Sequence, residues 1–419
     1  MSGRPCFSVV LPTHARPELL GAVLGSLVGQ TFRDFEAIVC DDPLAATAED
    51  LVAGLGDARF RYLRASARVP MYENWEAGAR AARGRWLLVL TDRCALRPSA
   101  LELLLGAAER SGAELVSAEI ETWGPVAPDP VGSPWRWTAG RSRAEAVQPF
   151  DPSDELRRKL RFEVPWSADS RNYFFGNPCC SALRDDLAAR IRERTGRLFF
   201  PISADYSCTA AALTLARGAA ALGQPTAVGA FASDSVGHRM TCHPEFTRPY
   251  LEEMSRAAGR DLAADLPLPG LTGSVTNVIA YDLAKSLERL GEKPGLDRVN
   301  LAARAREDLE RGAWGSDAER EAQLRLWQGH WAGLSAAAKA IRRLRVGARS
   351  ARAGPAGFRA WARARCRGVA GLRQVWAGLS AIRRAVAPDP PLPSVACADL
   401  SAALRAAEAH YVDGAASRP

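Results

Sequence analysis

The chain has 419 residues, of which 47% are hydrophobic and 24% charged, and its net charge is +8. This composition is that of a globular protein and excludes disordered and fibrous chains, while the length is sufficient for two domains. The chain starts with polar residues rather than a signal peptide, and none of its apolar runs reaches the ~18 residues that cross a bilayer. We therefore expect a cytoplasmic protein. Nine cysteines without CxxC spacing predict reduced thiols rather than disulfides or a zinc site.

Three short apolar runs, at residues 7–11, 35–40 and 86–90, each end in polar residues. Runs of this kind predict buried strands, and the helical spacing of apolar residues in 17–30 predicts a helix between the first two. Strands alternating with helices predict a mostly parallel sheet, which binds ligands at the carboxyl ends of its strands. Further helices are predicted at 46–54, 71–82 and 98–110, and further strands at 60–63 and 114–120.

Residues 121–170 break this alternation with many prolines and four tryptophans. This composition predicts an insertion or an acceptor loop over the ligand edge of the sheet. Regular structure is predicted to resume with a strand at 181–183 and a helix at 185–194.

A helix of small residues is expected from Asp205 to Leu222, followed by a last strand at 227–231. Beyond residue 245 the composition becomes rich in Ala, Leu, Arg and Glu, which predicts a mostly helical region. Its helices are expected at 274–291, 298–312, 317–345 and 397–411.

The segment from Ser26 to Glu36 reads Ser-Leu-Val-Gly-Gln-Thr-Phe-Arg-Asp-Phe-Glu, between a strand that ends in Pro-Thr and a strand that ends in Asp-Asp. This order resembles the inverting family 2 glycosyltransferases of the GT-A fold over about the first 240 residues. The resemblance implies an α/β GT-A domain at 1–245, with a mixed, mostly parallel sheet flanked by helices. A helical, Arg- and Ala-rich region would follow at 246–419.

The resemblance also implies a site for a nucleotide-sugar donor. Thr13, His14 and Arg16 follow the first strand, where the family grips the base and ribose. Asp41 stands where the family's carboxylate accepts from the base, usually uracil, and Asp92 stands where its first motif acid meets the ribose. Simpler roles stay open, since Thr13 and Arg16 can cap the following helix and Asp41 can be a solvated acid.

Arg93 departs from the family pattern, in which the last acid of an Asp-x-Asp motif binds Mn²⁺ or Mg²⁺. Arginine has no lone pair for a cation, but its planar guanidinium can neutralise a diphosphate directly. Three alternatives stay open: Arg93 replaces the metal, Asp92 binds the metal alone, or the chain has lost activity. We favour the first two together, with a weak metal requirement, because a diphosphate carries more charge than one arginine balances.

Inverting transfer needs a base that takes the proton of the acceptor hydroxyl. The family's base opens the helix after the acceptor loop, and the resemblance implies that Asp205 holds this place. An aspartate there can equally be an N-cap, and the two roles are compatible because a helix N-terminus favours the charged carboxylate. Asp185 and Asp186, at the start of another predicted helix, are weaker alternatives.

Aromatic and basic residues on the acceptor side are further candidates. Trp166, together with Trp135 and Trp137, offers flat rings suited to the apolar faces of sugars, and core packing is the alternative. His238 and Arg239 follow the last predicted strand. We expect them to close over the donor phosphates, with an ordinary surface loop as the alternative.

Positive charge is concentrated near the carboxyl end, where residues 331–390 contain 13 Lys or Arg and one acid. Arginines interleaved with Phe358, Trp361 and Trp376 are typical of an interfacial amphipathic helix. We therefore predict that residues 335–390 contact an anionic membrane surface, on the inner face of the plasma membrane. A solvated helical face is the alternative, and no RNA- or DNA-binding motif supports nucleic acid as a partner.

Together these features predict an inverting glycosyltransferase that moves a sugar, preferably from a UDP-sugar, to a glycan or lipid-linked acceptor in cell-surface polysaccharide or cell-wall biosynthesis. The first alternative is a non-catalytic nucleotide-sugar-binding protein with a degenerate metal site. The second is a nucleotidyltransferase, which is disfavoured because no glycine-rich signature with a following Arg and Lys comes after the first strand.

Overall fold

The computed structural model describes residues 3–14, 16–42, 48–125, 135–140, 146–163, 175–231, 235–342 and 392–416. One mixed sheet forms the centre of these residues, with strand order 11-7-6-9-4-1-2-3 and with strand 10 paired to strands 5, 6 and 8. The strands are β1 (Phe7–Thr13), β2 (Phe35–Asp41), β3 (Phe60–Arg64), β4 (Trp86–Val89), β5 (Cys94–Leu96), β6 (Leu115–Pro125), β7 (Trp135–Thr138), β8 (Val147–Phe150), β9 (Ser181–Arg184), β10 (Ala219–Ala230) and β11 (Ser394–Ala396). The helices are α1 (Pro17–Val28), α2 (Glu49–Ala53), α3 (Met71–Ala81), α4 (Ala100–Ser111), α5 (Pro152–Leu160), α6 (Asp185–Thr195), α7 (Ala204–Leu215), α8 (Val236–Cys242), α9 (Thr247–Ala258), α10 (Val275–Arg289), α11 (Arg298–Arg311), α12 (Asp317–Ala332) and α13 (Leu400–Ala416).

Strands β1 to β4 form a parallel group in the order β3-β2-β1-β4. Every residue of β1 and β2 is buried, because helices cover both faces of the sheet and successive side chains point to opposite faces. Val10 and Ile38 enter one hydrophobic core, while Val9 and Val39 enter the other. The ladder between β6 and β10 is parallel as well. The predicted α/β fold, with a mixed, mostly parallel sheet flanked by helices, is confirmed.

Helix α3 lies very close to this parallel group. A Cβ atom on Gly78 would come within 2.5 Å of both Cys40 Sγ and Val10 Cγ1, so only glycine allows the close approach. The approach brings Asn74 to the end of β2, where its Nδ2 donates to the carbonyl of Cys40 at 3.0 Å.

The predicted helix from Asp205 to Leu222 is wrong in its second half. Helix α7 ends at Leu215, and residues 219–222 begin strand β10. Alanine suits a helix by propensity, but these residues pair with β6 on one side and with β8 on the other. Residues 223–226 form a register shift inside β10 and are not the end of a helix.

The segment 121–170 contains more regular structure than an insertion loop would. Strand β6 continues to Pro125, and β7, β8 and α5 follow it among the described residues. These strands extend the sheet because β7 pairs with β6 and β8 pairs with β10.

Helices on the two sides of residue 245 share one hydrophobic core. Helix α10 packs along α7, and the core includes residues from Val10 to Trp327. The region after residue 245 is mostly helical, as predicted, although strand β11 belongs to it. Residue 245 thus marks a change of composition within continuous packing, and its role as a domain boundary stays a prediction.

The predicted helix at 317–345 is interrupted. Helix α12 ends at Ala332, before Gly333, and a second helical segment covers residues 336–342. No helix in the described part of the chain is both long and apolar enough to cross a membrane.

The carboxyl-terminal residues return to the sheet, where β11 pairs with β7 and α13 packs against β7 and β10. The buried Arg97 anchors α13. Its Nε donates to Glu408 Oε2 at 2.9 Å, and its guanidinium carbon lies 4.3 Å from the ring centroid of Tyr411. Tyr411 in turn donates to Glu121 Oε1 at 2.8 Å. Residues 392–416 therefore belong to the same folded unit as the sheet.

Replacing Glu408 with alanine is expected to lower the free energy of unfolding by ~1.5–3 kcal/mol, because Arg97 stays buried without its carboxylate partner. The matched control is Glu310→Ala, which removes the partner of Arg306 in a half-exposed pair and should cost less than ~0.5 kcal/mol. Denaturant unfolding measures both values. Equal, small losses would show that Arg97 does not anchor α13.

Candidate functional site

The carboxylate of Asp92 joins the ends of β1 and β4. Its Oδ2 accepts from Thr13 Oγ1 and from the amide of His14, both at 3.2 Å, and its Oδ1 accepts from Arg16 Nη1 at 2.9 Å. Asp92 is only 3% exposed, so these bonds compensate a buried charge. The structure therefore brings together four of the predicted donor-site residues. Helix α1 has no side-chain cap at its N-cap residue, Arg16, so neither Thr13 nor Arg16 serves as the cap.

Asp41 ends β2 and is almost fully buried. Its Oδ2 accepts from the hydroxyl of Tyr62 at 2.7 Å and from the amide of Ala48 at 2.9 Å. It is not a solvated acid, since these bonds fix its orientation. The neighbouring Asp42 lies 3.2 Å from Nδ1 of His14, measured at Oδ2, so the two loops after β1 and β2 are also in contact.

Arg93 and Asp205 both lie near the carboxyl end of β4. Arg93 Nη1 donates to the carbonyl of Ala230, the last residue of β10, at 3.1 Å. Asn177 Nδ2 donates to Asp205 Oδ2 at 3.1 Å. Burial raises the pKa of Asp205, while the Asn177 hydrogen bond and the charge of Arg93 act in the opposite direction. The amide of Val89, the last residue of β4, donates to the carbonyl of Pro178 at 3.2 Å, so Asn177 and its partner Asp205 lie near the carboxyl end of β4.

Asp205 lies in the first turn of α7, and the N-cap residue is Ser203. The interpretation of Asp205 as an N-cap is therefore wrong by two positions. A carboxylate with a raised pKa is a better proton acceptor than a solvated one, and the helix N-terminus favours its charged form. This position suits a general base.

The weaker alternatives for the base, Asp185 and Asp186, lie at the amino end of β4, opposite to the end that carries Arg93. Strand β9 runs antiparallel to β4 and places Arg184 opposite Trp86, the first residue of β4. Asp185 and Asp186 follow directly. Asp185 pairs with Arg4 at 2.7 Å, and hydrogen bonding to Arg184 lowers the pKa of Asp186. Neither can reach a substrate bound beside Arg93.

The residues around Asp92 do not fit a divalent cation. Both oxygens of Asp92 already accept hydrogen bonds, and Arg93 adds a positive charge next to it. Mg²⁺ and Mn²⁺ prefer oxygen ligands such as carboxylates, but the described residues contain no group of three or more His, Cys, Asp or Glu that could hold a metal. Metal binding by Asp92 stays a prediction.

His238 and Arg239 lie on the short helix α8 rather than on a loop. Ser235 caps this helix by accepting from the amide of His238 at 3.3 Å. The His238 ring meets Phe231 edge-on with centroids 4.5 Å apart, and the Arg239 guanidinium lies 3.7 Å from the Phe246 centroid. Their contact with a donor phosphate stays a prediction.

The tryptophans differ in their surroundings. Trp137 is buried and donates to Glu121 Oε2 at 3.0 Å, so it is a core residue. Trp135 and Trp123 have ring centroids 4.5 Å apart and line a cavity of about 460 Å³. Sugar stacking by Trp135 stays a prediction, and Trp166 lies outside the described residues.

Sequence analysis did not identify Tyr62 and Asn177 as residues of this site. Burial and the bond to Asp41 raise the pKa of Tyr62, so its hydroxyl stays protonated and can donate. Asn177 lies between Gly176 and Pro178, and this unusual placement of a buried amide was the available signal.

Residues 8–191 match the family described as Glycosyl transferase family 2. A validoxylamine A glucosyltransferase from Streptomyces hygroscopicus subsp. jinggangensis is 30% identical over 174 residues, which cover 40% of this chain and 38% of that protein. The succinoglycan biosynthesis protein ExoO from Rhizobium meliloti is 28% identical over 117 residues, which cover 28% of this chain and 34% of that protein. The chain thus spans well under half the length of these relatives.

A similar solved structure is S. aureus TarS 1–349, with 13% identity and a TM-score of 0.44 over 79% of this chain and 92% of that one. The family match covers β1 to β9 and most of α6. It contains Thr13, Asp41 and Asp92, and it ends before Asp205. Residues 8–191 of this chain are thus similar to glycosyl transferase family 2.

Proposed function

We propose that this chain is an inverting glycosyltransferase that moves a sugar from a nucleotide diphosphate donor to an acceptor hydroxyl, with UDP-sugars as the favoured donors. One observation carries the proposal: Arg93 and Asp205 both lie near the carboxyl end of β4, a strand within the segment that matches family 2. A cation there suits a departing diphosphate, and a carboxylate of raised pKa suits a hydroxyl that must lose its proton.

The donor half of the site uses the ends of β1, β2 and β4. Thr13 and Arg16 are held in place by Asp92, beside the expected position of the ribose. Asp41, oriented by Tyr62, accepts a hydrogen bond from the base. Rigid placement of these groups lowers the entropic cost of binding the nucleotide.

The transfer itself is a single displacement. The acceptor oxygen attacks the anomeric carbon from the face opposite the diphosphate, and its proton passes to a carboxylate oxygen of Asp205. The bond between the anomeric carbon and the diphosphate oxygen breaks, and its electron pair stays on the diphosphate. Arg93 neutralises that charge through its planar N–H groups. One displacement inverts the anomeric configuration.

The acceptor is proposed to be a glycan or lipid-linked sugar in cell-surface polysaccharide or cell-wall biosynthesis. The name of the relative ExoO, which refers to succinoglycan biosynthesis, supports this class. The name of the other relative refers to validoxylamine A, so a small sugar-like acceptor is the alternative that an acceptor screen would test.

Asp205→Asn is expected to lower sugar transfer at least ~10²-fold, because an amide cannot accept the proton. Donor binding should be unchanged. In the wild type, turnover should rise with pH through the raised pKa of Asp205, since only the ionised carboxylate acts as a base. UDP release and product formation across a pH series measure both effects.

Asp185→Asn is the matched control, because it makes the same substitution at the opposite edge of the sheet. It should transfer sugar at the wild-type rate. Near-normal transfer by Asp205→Asn would show that another group is the base.

Arg93→Ala is expected to abolish transfer, while the wild type should stay active in EDTA, because the guanidinium rather than a cation neutralises the diphosphate. Arg93→Lys keeps the charge but loses the planar fork, so it should retain part of the activity. Assays of UDP release with EDTA and with added Mn²⁺ distinguish the cases. Loss of wild-type activity in EDTA, restored by Mn²⁺, would contradict the proposed role of Arg93.

The position of Arg93 also favours a second candidate, a nucleotide-sugar-binding protein without turnover. The family acid is missing there, and both oxygens of Asp92 accept hydrogen bonds from the segment after β1. Thermal stabilisation by a nucleotide sugar, with no UDP release under any metal condition, would favour this candidate over the enzyme.

Residues 335–390 are proposed to bind anionic membrane, which would hold the enzyme at the inner face of the plasma membrane. Residues 343–391 lie outside the described residues, but Arg342 Nε donates to Asn300 Oδ1 at 2.9 Å and β11 pairs with β7. The basic segment is therefore connected to the folded part at both ends.

Replacing residues 343–390 with a Gly/Ser linker of equal length is expected to abolish binding to anionic vesicles without affecting nucleotide binding. The wild type should bind such vesicles at low salt and lose them at ~1 M salt, because salt screens the attraction. Vesicle sedimentation measures this, with neutral vesicles as the control. A wild type that ignores anionic vesicles at low salt would leave the segment as a solvated face.

A further inference from the structure

The loop that leads to Asp205 is held at both ends by buried carboxylates. At its start, Glu76 Oε2 of helix α3 accepts from the amides of Leu198 and Phe199 at 2.8 and 3.1 Å. Glu76 is 3% exposed. This end connects the loop to the helix that packs against the donor half of the sheet.

At the other end, the carboxylate belongs to Asp282 on α10, in the helical region after residue 245. Its Oδ1 accepts from the amide of Ile202 at 2.6 Å, and its Oδ2 accepts from the amide of Ser203 at 2.9 Å. Ser203 is the N-cap residue of α7, but its side chain makes no cap bond. Asp282 thus satisfies backbone donors at the start of α7 from a different helix.

Asp282 is completely buried, and burial opposes the ionisation of its carboxyl group. Burial raises the pKa of Asp282 well above its usual value, and the two amide hydrogen bonds act in the opposite direction. A residue this costly to bury needs both bonds. The two hydrogen bonds therefore constrain where the backbone at residues 202–203 can lie.

Two further bonds connect the same elements. The hydroxyl of Tyr250 donates to the carbonyl of Ile202 at 3.3 Å, and Ser286 Oγ donates to the carbonyl of Ser207 at 2.6 Å. Ser286 lies one helical turn after Asp282 on α10, so α10 binds the start of α7 at both Ser203 and Ser207.

We propose that Asp282 is a positioning residue that holds the first turn of α7 so that Asp205 meets the acceptor hydroxyl. The inference rests on the proposed function, in which Asp205 is the base. Asp205 follows Ser203 by two residues, so a shift of the loop moves its carboxylate directly. A misplacement of about 1 Å can cost ~10²-fold in rate, while the donor half, built on β1, β2 and β4, is unaffected.

The test is Asp282→Asn, which keeps the shape of the side chain but turns one acceptor into an amide donor facing a backbone N–H. We expect kcat to fall at least ~10-fold with the donor KM within about twofold of the wild-type value, because only the base is displaced. A purely structural role would reduce the amount of folded enzyme without this split between kcat and KM.

Asp308→Asn is the matched control. Asp308 Oδ2 also accepts at a helix N-terminus, from Ser274 Oγ at 2.7 Å and from the amide of Thr276 at 2.9 Å, and burial raises its pKa as well. It makes no contact with the loop before Asp205 in the described residues. It should lose stability but keep its kcat. Equal losses of kcat in the two variants would overturn the inference.

The double variant Asp205→Asn/Asp282→Asn should be no slower than Asp205→Asn alone, because Asp282 acts only through Asp205. Additive losses would contradict this. Normal transfer by Asp205→Asn would overturn the proposed base itself, whereas an inactive Asp205→Asn beside a normal Asp282→Asn would overturn only the present inference. If Asp282→Asn does not fold, Tyr250→Phe tests the same end of the loop, and an unchanged kcat there would count against positioning.

Discussion

A carboxylate buried inside a protein must be paired or hydrogen bonded, because an uncompensated charge is strongly unfavourable there. Asp92 meets this condition only with the help of Thr13, His14 and Arg16, all from the segment after β1. The requirement joins the ends of two parallel strands and fixes the turn that carries Arg93. The placement of Thr13, His14 and Arg16 on the donor side follows from this buried charge.

The acceptor side depends on more distant parts of the chain. Asn177, which precedes β9, orients the carboxylate of Asp205, and helix α10 holds the start of α7. The hydrophobic core is continuous between these helices. The helices after residue 245 are therefore part of the architecture of the site, since the first turn of α7 would lose its supporting contacts without them.

Besides the acids Asp92 and Asp205, three buried cysteines lie within electrostatic range of Arg93. Burial raises the pKa of the Cys179 and Cys180 thiols well above the usual value, so neither thiol carries charge near neutral pH. Cys94, beside Arg93, is likewise buried and its pKa is raised. Neutral thiols add no negative charge beside the guanidinium, and such surroundings favour an incoming anion more than an ionised cysteine cluster would.

The sequence by itself determined β1, β2 and β4, because these strands are continuous apolar runs that end in polar residues, and it identified Arg93 as a departure from the family pattern. It could not separate the helix at Ala204–Leu215 from the strand that starts at Ala219, since alanine is compatible with both and only pairing with β6 and β8 decides. Both Asp185 and Asp205 begin predicted helices, and the sequence favoured Asp205 through the family resemblance. The antiparallel direction of β9 places Asp185 at the amino end of the parallel strands, whereas the buried contacts of Asn177 and Asp282 place Asp205 at the carboxyl end. Only the tertiary structure decides this, because contacts between residues far apart in the chain leave no local pattern.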